Sequence, residues 1–351
     1  MGIVDRSRIR PDILTVMDDI EKIRAQFRTE FFKKKENQKM NFSTLWKKVM
    51  AGNERVLKGE KLQHDYLSQE EQLFLAKFHR AGMEYQATFL QKHVFPIPGE
   101  VKCGQIDTGG VAAEWQTVPG AIEDRVLLYF HGGGYIMGSP NTHRQLTIQL
   151  GKATKMRVLS VDYRLAPEEP YPAGLKDCTT VYNWLLSHGY KSENIIIAGD
   201  SAGGYFTLMT LVRLRNDGTS LPACAVGLSP ATDLASRSES FIINAPTDPV
   251  LAPLGVWWWP ETYLAGANPL DPLASPVYAD LRGLPPILIQ VSTSEMLFND
   301  ATRFADRAKE ADVEITLQTW DDTLHVFQAF RLPESEEGIA KIGKFAQKSL
   351  R

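Results

Sequence analysis

The chain has 351 residues, 43% of them hydrophobic and 23% charged, a balance that supports a sizeable buried core and excludes a fibrous or disordered chain. A formal net charge of −3 excludes a strongly basic nucleic-acid binder. The three cysteines Cys103, Cys178 and Cys224 lie far apart, form no CxxC pair and are odd in number. Neither a disulfide framework nor a thiolate zinc site is expected, and a reducing cytoplasm is the simplest compartment.

The stretch MGIVDRSRIRPDIL has no apolar core of a secretory signal, and no apolar run approaches the roughly 20 residues that cross a bilayer. Arg6 stands where a myristoylation signal needs Ser or Thr, so a soluble, unprocessed protein is expected. Up to residue 95 there are 18 Lys and Arg against 13 Asp and Glu, and beyond it 21 against 29, which sets the N-terminal quarter apart from the rest. Its Lys33-Lys34-Lys35 run is short and flanked by Glu30 and Glu36; it reads as a solvated helix end rather than an anion or membrane patch.

From Pro11 the apolar residues Ile13, Val16, Met17, Ile20, Ile23, Phe27 and Phe31 recur at three- and four-residue steps, predicting a helix with one stripe to bury. A second helix is predicted from Ser68, with Glu71 at the capping-box spacing, through Leu73, Phe74, Phe78 and Met83 toward His93. The polar stretch 53–65 between them reads as loop or short helix. After the turn signals Pro96-Ile97-Pro98-Gly99 the period changes. Short β-rich runs are predicted at 111–117, 125–130, 158–163, 195–198, 223–228, 286–291 and 314–319, with helical stretches such as 175–187 and 301–311 between them. The later runs are nearly all apolar, as parallel strands covered on both faces are. The fold class is therefore α/β, a sheet wrapped by helices. The stretch 233–280, rich in Pro and carrying Trp257-Trp258-Trp259, reads as an insertion that leaves the sheet and returns.

Chemistry concentrates at strand ends. Gly199-Asp200-Ser201-Ala202-Gly203 follows the apolar run Ile195-Ile196-Ile197 and leads into a helical stretch at 205–214, the setting in which a GxSxG pattern turns a nucleophilic serine sharply from strand to helix. A serine hydroxyl needs a base, and acyl transfer needs donors for the oxyanion. His131-Gly132-Gly133-Gly134-Tyr135 follows the strand at 125–130. Its glycines let successive N–H groups crowd one oxygen, so Gly133 and Gly134, with the N–H of Ala202, are the expected oxyanion hole. Gly132 is read as serving the turn, and His131 as orienting the loop. The expected base is His325, just past the strand at 314–319. The other histidines (His64, His79, His93, His143, His188) are read as surface or packing groups. The acid belongs after the strand at 286–291, where Glu295 is preferred over Asp300, and Asp321 and Asp322 are read as structural.

Taken in order, HGGGY at 131, Asp162-Tyr163-Arg164-Leu165-Ala166-Pro167-Glu168, Tyr171-Pro172-Ala173, GDSAGG at 199, Asp248-Pro249-Val250 and His325-Val326-Phe327 resemble the hormone-sensitive-lipase-type family of bacterial carboxylesterases in the α/β-hydrolase fold. The resemblance runs from about residue 111 to 330. It implies a mostly parallel central sheet flanked by helices, a helical cap, and hydrolysis of short- to medium-chain acyl esters without a cofactor or metal. The expected division is 1–95 as N-terminal cap segment, 96–232 as first core part, 233–280 as cap insertion and 281–351 as second core part. The implied partner is a small-molecule ester, with neither nucleic acid nor membrane, and relatives occur as monomers and as homodimers, for which an edge strand near the C-terminus is available. Two departures stand out: most relatives carry aspartate where this chain has Glu295, and the segment before HGGGY is longer by roughly 40 residues, which suggests extra helical cap. The same triad on the same fold also serves amidases and deacetylases. Related plant hormone receptors keep the pocket but lose the histidine that His325 would supply. The Ser-x-x-Lys and HExxH patterns of other hydrolases are absent from the sequence.

Overall fold

The computed structural model describes residues 3–62, 65–236 and 238–350; His64 lies outside them. Its centre is one eight-stranded sheet. The strands are β1 (Lys102–Asp107), β2 (Ala112–Thr117), β3 (Ile122–Phe130), β4 (Met156–Val161), β5 (Ile195–Asp200), β6 (Cys224–Leu228), β7 (Ile287–Ser292) and β8 (Ile315–Trp320). They run in the order β1-β2-β4-β3-β5-β6-β7-β8. The pairs β1/β2 and β2/β4 are antiparallel and every later pair is parallel.

Side chains alternate across this sheet with the period of two that a strand imposes. Val126, Leu128 and Phe130 of β3 join one buried cluster, and Leu127 and Tyr129 join the other. The first cluster is closed by α5 (Ala173–Ser187), α6 (Ala202–Asn216) and α9 (Phe298–Glu310), the second by α4 (Pro140–Thr154) and α10 (Pro333–Ser349). Two-sided burial explains why these strands are legible as unbroken apolar runs. The strand β1 was not expected from sequence. It lies at the sheet edge, only Ile106 is even half-buried, and it pairs with β2 alone, so the sequence carries no apolar run to announce it.

The N-terminal quarter forms α1 (Pro11–Phe31), α2 (Phe42–Leu57) and α3 (Gln69–His93). The expected capping box is present at Ser68 and Glu71. The expected loop starts at Lys58 rather than Asn53, because Leu45, Val49, Gly52 and Asn53 turn one face of α2 inward and extend the helix to Leu57. Phe27 of α1 packs its ring on Phe31, Phe78 and Tyr85, with centroids 5.3–5.7 Å away, and Gly82 of α3 admits it at a distance where a Cβ would be 3.0 Å from Phe27 Cε1. The Lys33 ammonium pairs with Glu30 at 2.6 Å in an exposed position, as a solvated helix end does.

Between β6 and β7 the chain leaves the sheet, forms α7 (Ser240–Ile243) and α8 (Trp258–Leu264), and returns. It packs on α2: the Trp257 indole N–H donates to the Val49 carbonyl at 3.2 Å and the Asn53 amide to the Ala252 carbonyl at 3.3 Å. Gly52 accommodates the indole, since a Cβ there would sit 2.6 Å from Trp257 Cζ2.

If α1 is held mainly through Phe27, Phe27→Ala should loosen it by about 3–5 kcal/mol, the usual cost of an unfilled aromatic cavity. Hydrogen exchange should then accelerate in α1 while the β3 and β5 amides keep their protection; equal acceleration in the sheet would show that α1 does not open as a separate unit.

Candidate active site

The β5 strand ends at Asp200, α6 begins at Ala202, and Ser201 between them has φ 53° and ψ −116°. A non-glycine residue is held there only when its surroundings dictate it, and here they do. A Cβ on Gly203 would lie 1.9 Å from the Phe130 carbonyl oxygen, and one on Gly199 would lie 2.3 Å from the Gly203 carbonyl oxygen. Only glycines let β3, β5 and α6 approach this closely. The Ser201 N–H donates to the Leu228 carbonyl at 2.8 Å, tying the turn to the end of β6.

The glycine loop after β3 rests on Asp200. One Asp200 carboxylate oxygen accepts from the Gly132 N–H at 3.0 Å and from the Tyr129 hydroxyl at 2.5 Å, and the other faces His143 Nε2 at 3.3 Å. A Cβ on Gly132 would meet that second oxygen at 2.1 Å, so Gly132 is the residue through which the loop touches its anchor. Gly133 and Gly134 have φ of 120° and 59°. Side chains there would strike the Met137 carbonyl oxygen at 2.2 Å and Trp259 Cε3 at 2.1 Å. His131 donates from Nδ1 to the Gly132 carbonyl at 2.8 Å and stacks on Tyr163, centroids 4.2 Å apart. Burial, and then repulsion from the neighbouring His143 imidazole, lowers its pKa to about 3, so the neutral form is favoured and its Nδ1–H holds the loop.

His143 is more than a packing group. Burial disfavours its charge, but Asp200 more than offsets this by charge and hydrogen bond, leaving His143 above its ordinary pKa. Burial likewise raises Asp200, and His143 and the Tyr129 hydroxyl more than reverse it. Each partner thus favours the charged form of the other beneath the loop. Its signal was inside the GDSAG pattern, but nothing local names a partner on α4.

Glu295 lies in the turn after β7, and His325 in the turn after β8. His325 Nδ1 donates to Glu295 Oε1 at 2.9 Å, with both side chains buried. Glu295 Oε2 accepts from the Ser229 hydroxyl at 2.7 Å and from the Ser292 N–H at 3.1 Å. Burial lowers the basicity of His325; Glu295, by charge and hydrogen bond, and then Asp248 and Asp200 outweigh this, so its pKa stands above the ordinary imidazole value. Asp248, unassigned from sequence although it opens the quoted DPV motif, accepts from the N–H groups of Met296, Val250 and Leu251, each at 2.9 Å. It thereby fixes the residue next to Glu295.

Asp300 is engaged elsewhere. Its carboxylate accepts from the N–H groups of Thr232 and Asp233 at 2.8 and 2.9 Å and from the Ser238 hydroxyl, holding the start of the 233–280 segment. Burial raises its pKa to about 6. Asp321 and Asp322 accept hydrogen bonds from Thr293 and Ser294, both at 3.1 Å, and link the two turns.

A cleft opens beside Ser201 and Ala202, walled by Phe241, Leu251, Val256 and Trp259. Of the three tryptophans, Trp259 faces it, whereas Trp257 packs on α2 and Trp258 beside His79. Among the described residues no three His, Cys, Asp or Glu side chains form a metal-binding group.

Residues 127–329 match a family model described as alpha/beta hydrolase fold. An acetyl-hydrolase of Streptomyces hygroscopicus is 40% identical over 250 residues, 71% of this chain and 82% of that protein. An esterase of Acinetobacter venetianus is 36% identical over 256 residues, 72% and 84% of the two. The crystal structure of an esterase from the bacterial hormone-sensitive lipase family superposes with a TM-score of 0.75 at 40% identity, covering 89% of this chain and all of the other. With its fold, its strand-end motifs and these relatives in agreement, the chain belongs to the hormone-sensitive-lipase-type family of bacterial carboxylic ester hydrolases.

Proposed function

We propose that the chain hydrolyses short- to medium-chain acyl esters through an acyl-enzyme on Ser201. The observation that carries this reading is the buried Glu295–His325 hydrogen bond of 2.9 Å, set at the sheet end whose β6 terminus also holds the Ser201 turn. His325 removes the hydroxyl proton as Ser201 attacks the ester carbonyl, and Glu295 keeps Nδ1 protonated and stabilises the imidazolium. The N–H groups of Gly133, Gly134 and Ala202 receive the oxyanion. The alcohol leaves with the proton from His325, and a water activated by the same histidine releases the acid. The chemistry needs no cofactor or metal.

We assign the 1–95 and 233–280 segments to the cap, and the apolar wall from Phe241 to Trp259 to the acyl chain. An acetyl-hydrolase among the relatives favours the short end of the range. No described helix is long and apolar enough to cross a membrane. With Cys103, Cys178 and Cys224 all free, we place the protein in the cytoplasm. Self-association as a homodimer would use the outer edge of β8, which has β7 as its one neighbour in the sheet.

Ser201→Ala should lower hydrolysis of p-nitrophenyl esters by at least about 10⁴-fold, and a variant near the wild-type rate would overturn the mechanism. In an acyl series from acetate to laurate, the rate should peak at the shorter chains and fall by laurate; an optimum at laurate would mean that the apolar wall extends beyond the cleft described. Glu295→Ala should reduce kcat well over tenfold, and if Asp300→Ala does so instead the two roles must be exchanged.

The pH profile supplies an independent check. Turnover requires neutral His325, whose pKa lies above the ordinary value, so kcat/KM should fall as pH drops through a midpoint above about 6.5. Glu295→Gln removes the negative charge that holds the proton, so the midpoint should move to lower pH even as kcat falls. A midpoint unchanged in that variant would mean that Glu295 does not face the titrating histidine.

A further inference from the structure

At the end of β6, the buried Ser229 has φ 47°, a left-handed conformation that glycine or asparagine adopts more readily. Its N–H donates to the Gln290 carbonyl at 2.7 Å, which pins it to β7. Its hydroxyl is fully engaged: it donates to Glu295 Oε2 at 2.7 Å and accepts from the Val326 N–H at 3.1 Å. A hydroxyl has one proton, and because Val326 presents an N–H, that proton can only go to the carboxylate. Val326 directly follows His325 and is itself held at φ 52°. One oxygen atom therefore ties the acid to the backbone of the base.

We propose that Ser229 is a positioning residue for the reaction, locking Glu295 and the His325 turn in register; this rests on the triad reading above. The need follows from the acid being a glutamate. Its side chain has one more rotatable bond than aspartate, so its carboxylate has more freedom to lose. Oε1 is held by His325, and Oε2 by Ser229 together with the Ser292 N–H, which fixes the carboxylate plane from both ends. Without the hydroxyl, Oε2 keeps one donor, and the Val326 N–H loses its acceptor in a dry environment, where an unpaired donor is costly. Serine in a backbone conformation suited to glycine is retained for its side chain, an inference that runs from an observed outlier to a role.

Ser229→Gly separates the two contributions, since it relieves the positive φ while deleting the hydroxyl. It should lower the thermal midpoint less than Ser229→Ala does, leave KM within about threefold, and lower kcat by ~10- to 100-fold, the scale of a lost hydrogen bond to a charged group. Ser229→Ala should show the same kcat loss with a lower midpoint. In a Glu295→Ala background, Ser229→Gly should cost less than about twofold, because the partner through which it acts is gone. A Ser229→Gly enzyme at the wild-type kcat, or one whose loss is equal with and without Glu295, would overturn the assignment. Ser201→Ala assayed alongside keeps the two readings apart: turnover in that variant removes the triad mechanism itself, whereas an inactive Ser201→Ala beside a fully active Ser229→Gly removes only the role of Ser229.

Discussion

The closeness with which backbone meets backbone at the Ser201 turn governs the arrangement around it. With less than 2 Å between the Phe130 carbonyl oxygen and where a Gly203 Cβ would sit, the ends of β3 and β5 and the start of α6 are in direct main-chain contact. That approach puts the glycine loop after β3 beside the first turn of α6, where N–H groups have no helical acceptor. It also leaves Ser201 no relaxed conformation, so the strain at φ 53° follows from packing rather than from any property of serine.

The neighbouring strand end extends the same logic. The Leu228 carbonyl accepts from Ser201, and the next residue, Ser229, reaches Glu295 and Val326. Three residues in the left-handed region, Ser201, Ser229 and Val326, thus surround one strand terminus. Each is held by hydrogen bonds to a different segment, so none can relax without disturbing the others. Buried carboxylates do much of this fastening. Asp200, Asp248 and Asp300 each accept at least one backbone N–H from the loop they hold, which offsets part of the desolvation that burial imposes on a charge.

The residues read from sequence and those that escaped it differ in how local their signals are. The sheet strands from β3 to β7 show as apolar runs because both faces are covered; Ser201 and Glu295 show because each sits just past such a run, and His325 because it follows the last strand, β8, whose faces are only half-buried. The edge strand β1 buries nothing that would mark it, and α2 escapes because its inward face includes Gly52 and Asn53, residues that read as loop. The supporting shell was invisible for another reason. Ser229 is 66 residues from Glu295 and 97 from Val326, and His143 and Asp200 lie on different elements joined only by the fold. A polar residue's type says that it can donate or accept, while its partner is chosen by topology.

The long N-terminal segment also reaches the His325 turn. The Asp5 N–H donates to the Pro246 carbonyl at 2.8 Å, Arg10 pairs with Glu334 of α10 at 2.5 Å, and Ile13 packs with Trp320, Leu324 and Phe327. Those last three residues bracket His325. From there α1 runs about 30 Å, at 1.5 Å per residue, to the aromatic cluster it shares with α2 and α3. One end of the helix is thus packed against the turn that carries His325, and the other belongs to the layer that packs on Trp257 and Trp258. The packing around Phe27 and the packing beside the His325 turn are therefore contributed by one helix.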